Sequence, residues 1–461
     1  MGENWGDATG TLNNLEAAVS SELATAAAVG VAYNGAKDNT VLLAIKGDSN
    51  LIAKTNTGKA YGINLSGKTT AEILENIAID VSASGEKGVA YGVNVSEGNV
   101  NLGSLGTTLK INAKAADAEA IDIVKGGTVS FGDASNKLSD VSLNTNGSTF
   151  TAYLSESTLN VYSNNYSQTG SGHGLYVTNG SSLTMDVDSF DSTTDYTAIH
   201  TRTSEKSVAN VTAKTFKATA TGDDTGVALL QANEGSTLNV TAETASLTGT
   251  HKLGGGVMGS GTYGTINLKA DKLTLDGNIN GVYGGVDNKG KKLALNVTAT
   301  DLAMTGDINV GSLGSSKDTY DATSDFSRNT AITIEAQKAN ITGNINVWGN
   351  KGSKNVSTDE NTVSLKLGSN SVFTGNISVI GTKEDSQKNS VTLTGGTYNV
   401  GALKLENRGT LTLDEGRLVT AGNQVFKSFV LNQSVDSLVD GLTLSNSELA
   451  LTDTGTISQS F

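Results

Sequence analysis

Apolar and polar residues alternate with period two in short runs along most of the chain. Examples are Leu238-Asn239-Val240-Thr241, Ile266-Asn267-Leu268-Lys269 and Leu293-Ala294-Leu295-Asn296-Val297. Period two is the signature of a strand with one face buried. Gly, Asn, Asp and Ser separate the runs and supply turn chemistry. The runs themselves recur. Ala60-Tyr61-Gly62-Ile63-Asn64-Leu65 returns 30 residues later as Ala90-Tyr91-Gly92-Val93-Asn94-Val95. A second series, Asn210-Val211-Thr212-Ala213, Asn239-Val240-Thr241-Ala242, Asn267-Leu268-Lys269-Ala270 and Asn296-Val297-Thr298-Ala299, advances by 29, 28 and 29 residues. A third, Gly277-Asn278-Ile279-Asn280, Gly306-Asp307-Ile308-Asn309, Gly343-Asn344-Ile345-Asn346 and Gly375-Asn376-Ile377-Ser378, advances by 29, 37 and 32.

A unit of this size cannot bury its own apolar face, but it can do so when stacked on like units. The pattern therefore predicts an all-β fold, a right-handed parallel β-helix (β-solenoid) with rungs of about 29 residues. Near the start, Leu12, Leu15, Val19, Leu23 and Ala26 fall at three- and four-residue steps. That spacing predicts a short N-terminal helical cap within residues 1–30, followed by solenoid over 31–461. The repeated Asn positions have two readings, amide ladders between rungs or a carbohydrate-binding face. Tyr61 and Tyr91 are likewise a stacked pair or a sugar platform.

The third series stretches where extra residues enter at 312–329, and further polar loops follow at 350–360 and 383–389. Insertions in a solenoid emerge on one face, often the binding face. Asp318, Tyr320, Asp321 and Phe326 from the first insertion, with Trp348 and Ile380 on the outward side of the adjoining strands, are the candidate partner-binding residues.

Composition narrows the chemistry. The 461 residues include 55 Gly, no Pro and no Cys. Without Cys there is no disulfide framework, zinc knuckle or thiol nucleophile. Pro would interrupt a continuous hydrogen-bond ladder, so its absence suits stacked strands. The net charge of −14 and the scarcity of arginine (Arg202, Arg328, Arg408 and Arg417) argue against nucleic acid as a partner. No apolar run is long enough to predict a membrane-spanning helix. The three histidines, His173, His200 and His251, fall in different phases of the repeat, so they are not expected to converge on a metal. Ser171-Gly172-His173-Gly174 looks like the histidine segment of subtilisin-like proteases, but the matching serine segment is nowhere in the chain. Asp186, Asp188, Asp191 and Asp195 form the densest acidic run and read as a solvated face, with weak calcium binding and carboxylate catalysis as the sharper alternatives. No catalytic residue, metal site or cofactor is assigned.

A chain free of Cys and Pro, rich in Gly, Asn and Thr, and wound in β-helical coils resembles the passenger domain of a monomeric Gram-negative autotransporter. The resemblance implies an adhesin-like virulence factor displayed on the bacterial cell surface or secreted. It also implies an outer-membrane β-barrel anchor C-terminal to this chain. The expected function is non-enzymatic adhesion or bacterial self-association through side loops on a rigid rod. The expected partner is a host-cell surface, a glycan or another copy of the chain. The alternative is a carbohydrate-active β-helix enzyme, either a polysaccharide lyase or a tailspike-like hydrolase.

Overall fold

A computed structural model describes residues 8–22, 25–32, 41–147, 149–222, 228–249, 256–260, 262–282, 291–310, 329–348, 360–381, 388–406, 409–420, 424–426, 428–431, 441–451 and 457–459. All regular structure among them is strand, and the registered strand pairs are parallel. The chain divides into two units, Met1–Thr221 and Gly222–Phe461. Each is a parallel β-solenoid.

The first unit begins with three strands per rung. One face stacks Ala8–Asn13, Val41–Lys46, Thr69–Ile73, Asn99–Leu102 and Thr128–Phe131. A second stacks Glu16–Ser21, Ser49–Thr55, Ile77–Ala83, Thr108–Lys114 and Leu138–Asn146. A third stacks Ala26–Ala32, Lys59–Ser66, Val89–Ser96, Asp117–Val124, Phe150–Ser155, His173–Thr178 and Ile199–Thr201. From Thr158–Gly170 onward the first two faces merge into 13-residue strands, continued by Ser182–Thr194 and Val208–Ala220. Two consecutive outward residues, such as Asn164 and Asn165, mark the bend where the buried phase switches. The chain thus turns a corner without leaving the ladder.

Alternation produces the core. Leu51, Ile79, Ile111 and Leu143 align in register and are buried, as are Ile63, Val93, Ile121, Ala152, Leu175 and Ile199. Burying one such side chain contributes about 1.5–3 kcal/mol before entropy is subtracted. Inside the same unit Phe190 stacks on Tyr166 at 5.4 Å and on Phe216 at 4.5 Å between ring centroids.

The second unit repeats the plan. Thr237–Gly249, Gly264–Asp276, Leu293–Thr305 and Thr330–Thr342 are 13-residue strands. Leu238, Ile266, Leu295, Ile332, Val363, Val391, Leu411 and Leu442 form one unbroken buried column. Its amide-bonded rungs are 28 and 29 residues apart at Asn239, Asn267 and Asn296, and 37 apart between Asn309 and Asn346. The rung length read from the repeats is therefore that of the fold.

The predicted N-terminal helical cap is corrected. Residues 8–13, 16–21 and 26–32 are strands that complete the first rung. Leu12 sits in register with buried Ile45, Ala17 with Leu51, and Val19 with Ala53. These side chains continue the inward columns. Leu12 and Val19 remain 44% and 38% exposed. The three- and four-residue spacing arose because two short strands and a tight corner bring apolar positions to nearly helical intervals.

Candidate functional site

Two neighbouring strands of the third face in the first unit carry one side chain outward on either side of a buried pair. Lys59–Ser66 and Val89–Ser96 read outward–buried–buried–outward at Tyr61-Gly62-Ile63-Asn64 and Tyr91-Gly92-Val93-Asn94. The intervening glycine leaves room for the next rung. A Cβ on Gly62 would meet the Gly92 carbonyl oxygen at 2.6 Å, and one on Gly92 the Ala120 carbonyl oxygen at 2.5 Å. Stacking these strands lines up two outward columns.

The first column holds Tyr61, Tyr91 and Glu119 in register. The second holds Asn64, Asn94, Asp122, Tyr153, Tyr176 and His200. Tyr61 and Tyr91 stack at 5.4 Å with 22° between planes, and Asn94 Nδ2 donates to Asn64 Oδ1 at 2.6 Å. Farther along, Tyr153 stacks on Tyr176 at 5.8 Å, and Phe150 lies 4.4 Å from Tyr176 and 5.6 Å from His173. Tyr176 meets His200 edge-on at 4.8 Å, and His173 contacts Tyr196 at 5.2 Å. Arg202 donates to the Tyr176 hydroxyl at 3.4 Å. From Tyr61 to His200 this strip crosses six strands, so it is about 24 Å long at a spacing of about 4.8 Å. Tyr61, Tyr91, Phe150, Tyr153 and Tyr196 are half-buried, so part of each ring remains open to solvent.

Two carboxyl groups are set among these rings. Glu119 is 7% exposed, and its Oε2 is buried without a hydrogen-bond partner. Burial, reinforced by Asp122 and Asp117, pushes its carboxyl group up to about 9. Burial raises Asp122 to about 6, with Lys59 opposing and Asp117 adding to the shift. Near neutral pH the strip therefore holds an uncharged acid beside a charged one. Burial also raises the hydroxyls of Tyr61, Tyr91 and Tyr153 and holds His200 well below the usual imidazole range.

The buried acid links stability to pH. The folded chain keeps the Glu119 proton up to about pH 9, whereas the unfolded chain releases it above the ordinary value of 4.5. Its contribution is fully present below 4.5 and is lost as pH rises toward 9. A Glu119→Gln chain should therefore gain on the order of 2–4 kcal/mol over the parent at pH 8 and little at pH 4.5. Denaturant midpoints at the two pH values check this. An equal difference between the two chains at both values would contradict it.

His173 and His200 adjoin, with ring centroids 5.9 Å apart, although their repeat phases differ. The rungs shorten here, so that Tyr176, not His173, is in register with His200. His173 Nδ1 lies 3.0 Å from Thr197 Oγ1. His251 lies outside the described residues. No cluster of three or more His, Asp or Glu able to hold a metal occurs among the described residues.

The acidic run is laddered to lysines. Lys137 lies 2.8 Å from Asp186 and 3.6 Å from Asp188, Lys214 2.8 Å from Asp188, and Lys217 3.4 Å from Asp191. Thr221 donates to Asp195 at 2.8 Å. This is the solvated face that the sequence suggests.

Of the candidate patch near the insertions, Asp318, Tyr320, Asp321 and Phe326 lie outside the described residues. Trp348 and Ile380 are in register on neighbouring strands, Ile345–Trp348 and Val372–Ile380, and Ile380 is half-buried. Sequence reasoning picked out Tyr61, Tyr91, Asn64 and Asn94 but missed the extension through Glu119, Asp122, Tyr153, Tyr176 and His200. The signal was the outward–buried–buried–outward spacing itself, which carries on after the Tyr-Gly motif has lapsed.

Neither protein-family models, nor curated proteins, nor solved structures yield a match to this chain.

Proposed function

We propose that this protein is a non-enzymatic, glycan-binding β-solenoid of the bacterial cell surface, acting in adhesion through the outward aromatic strip of its first unit. The observation that carries the reading is the pairing of half-open, stacked rings with amide and carboxyl groups along one flat face. Sugar rings present C–H faces that pack on aromatic faces, whose quadrupole is negative. Their hydroxyls project from the ring edge and need polar partners beside the aromatic surface. Tyr61 and Tyr91, half-open to solvent, supply the aromatic surface, and Asn64, Asn94 and Asp122 supply the partners in the next column. The length of the strip suits an extended oligosaccharide. The autotransporter-like composition supports display outside the cell, and the absence of Cys and Pro suits a chain that is threaded unfolded and folds late.

A glycan array followed by calorimetry tests this. The double variant Tyr61→Ala/Tyr91→Ala should lose about 2 kcal/mol of binding or more, about 30-fold in Kd, with unchanged circular dichroism. Full retention of binding by a folded double variant would reject the strip as the site.

A second reading, a carbohydrate-active enzyme, rests on Glu119 and Asp122, whose carboxyl groups are pushed to different ranges by their surroundings. Such a split is how one site keeps an acid and a base together. Release of reducing ends from the bound glycan, abolished by Glu119→Gln, would favour it. Binding without release favours the adhesin.

A further inference from the structure

We infer that Glu119 is the hydrogen-bonding anchor of the aromatic strip, its carboxyl group pairing with an oxygen of a neutral oligosaccharide. The inference rests on the glycan-binding reading above and specifies which glycans that site takes. Glu119 points outward in register with Tyr91 and interacts electrostatically with both Tyr91 and Tyr153, so it lies within the strip. A buried polar atom normally has a partner, because leaving it bare costs about 1–3 kcal/mol. Glu119 Oε2 has none. The residue points outward by register and keeps 7% exposure. A bare acid beside the stacked tyrosines is a preorganised donor that gains a partner only when a ligand arrives.

The surrounding charge decides the ligand class. Asp117 and Asp122 flank Glu119, and Lys59, whose Nζ lies 5.8 Å from the Tyr91 ring centroid, is the cation that opposes Asp122. A uronic acid or sulfated sugar would bring its anion against these carboxyl groups. A neutral sugar offers hydroxyl, ring or acetamido carbonyl oxygens, each able to accept the Glu119 proton. Above the range where Glu119 ionises, the donor disappears and the acceptor oxygen faces a carboxylate.

The test measures affinity of the full chain for neutral hexasaccharides (glucose, galactose and N-acetylglucosamine series) and for a galacturonate hexamer, at pH 6, 7, 8, 9 and 10. The parent should prefer a neutral hexamer to the galacturonate hexamer by about 10-fold or more at pH 7, and should lose about 10-fold in affinity between pH 7 and pH 10. Glu119→Gln, which keeps an N–H donor, should bind within about threefold of the parent at pH 7 and show a flat profile to pH 10. Glu119→Ala should bind about 10-fold more weakly than the parent at pH 7. If Glu119→Ala binds like the parent while Tyr61→Ala/Tyr91→Ala does not, the platform stands and the anchor falls. A pH profile for Glu119→Gln that matches the parent's also overturns the anchor, as does tighter binding of the galacturonate hexamer. If the parent binds none of these glycans, the glycan-binding reading and the anchor fall together.

Discussion

Replacing Gly343 with Val is expected to cost about 4 kcal/mol or more, enough to unfold much of the second unit. Gly277, Gly306, Gly343 and Gly375 stack rung upon rung, and Gly343 adopts φ +152°, a conformation that residues with a Cβ rarely adopt. A Cβ there would fall 1.9 Å from the Gly306 carbonyl oxygen and 2.5 Å from its carbon. Both are backbone atoms inside a hydrogen-bonded ladder, so neither can swing aside as a flexible side chain would. The effect should spread, because each rung of a solenoid is stabilised by its neighbours. Urea denaturation followed by circular dichroism measures it. Gly30→Ala is the control: its Cβ would meet only the Ala27 Cβ, at 3.9 Å, and its midpoint should stay close to the parent's. A Gly343→Val midpoint equal to the parent's would show that the rungs pack more loosely than these distances require.

The second large effect is expected at Asn309. Its side chain is buried, donates to Asn280 Oδ1 at 2.9 Å and accepts from Asn346 Nδ2 at 2.8 Å. Asn309→Ala removes both bonds, so that Asn280 loses this donor and Asn346 this acceptor. A hydrogen bond lost at a buried polar atom costs about 1–3 kcal/mol, and Asn280 is fully buried whereas Asn346 is half-buried, so the expected loss is about 2 kcal/mol. Asn267, in the middle of the Asn239–Asn267–Asn296 ladder, makes equivalent bonds at 2.7 and 2.8 Å but is only half-buried. Water can replace its partners, so Asn267→Ala should cost less than half as much. Equal losses at the two positions, read from denaturant midpoints, would mean that burial does not set the strength of these ladders.

The features most legible in the sequence were those with a fixed period. The Asn-Val-Thr-Ala and Gly-Asn-Ile-Asn series named residues that do stack, because a parallel rung places identical positions directly above one another. Tyr61 over Tyr91 followed from the same argument and is present. Features that depend on the local rung were not legible. Leu12 and Val19 looked helical because they belong to a first rung with short strands, where spacing along the chain mimics one turn of a helix. His173 and His200 looked unrelated because rung length drops between them. The corner after each third-face strand was also hidden. Glu97, Lys125, Glu156 and Asn179 adopt positive φ of 65°, 54°, 53° and 53°, where turn chemistry favours Gly or Asn. Only Asn179, and Gly67 in an earlier rung, matched that chemistry. Glu119 was invisible for another reason. A lone Glu among alternating residues reads as solvated, and its burial between rungs, with Asp122 and Asp117 nearby, shows only in the fold.

The most direct test of the account is a crystal structure of the chain soaked with the neutral hexasaccharide that binds best. Sugar density lying over Tyr61 and Tyr91, with an oxygen within hydrogen-bond distance of the Glu119 carboxyl group, is the predicted result. Density elsewhere on the chain, with the strip left bare, would contradict it.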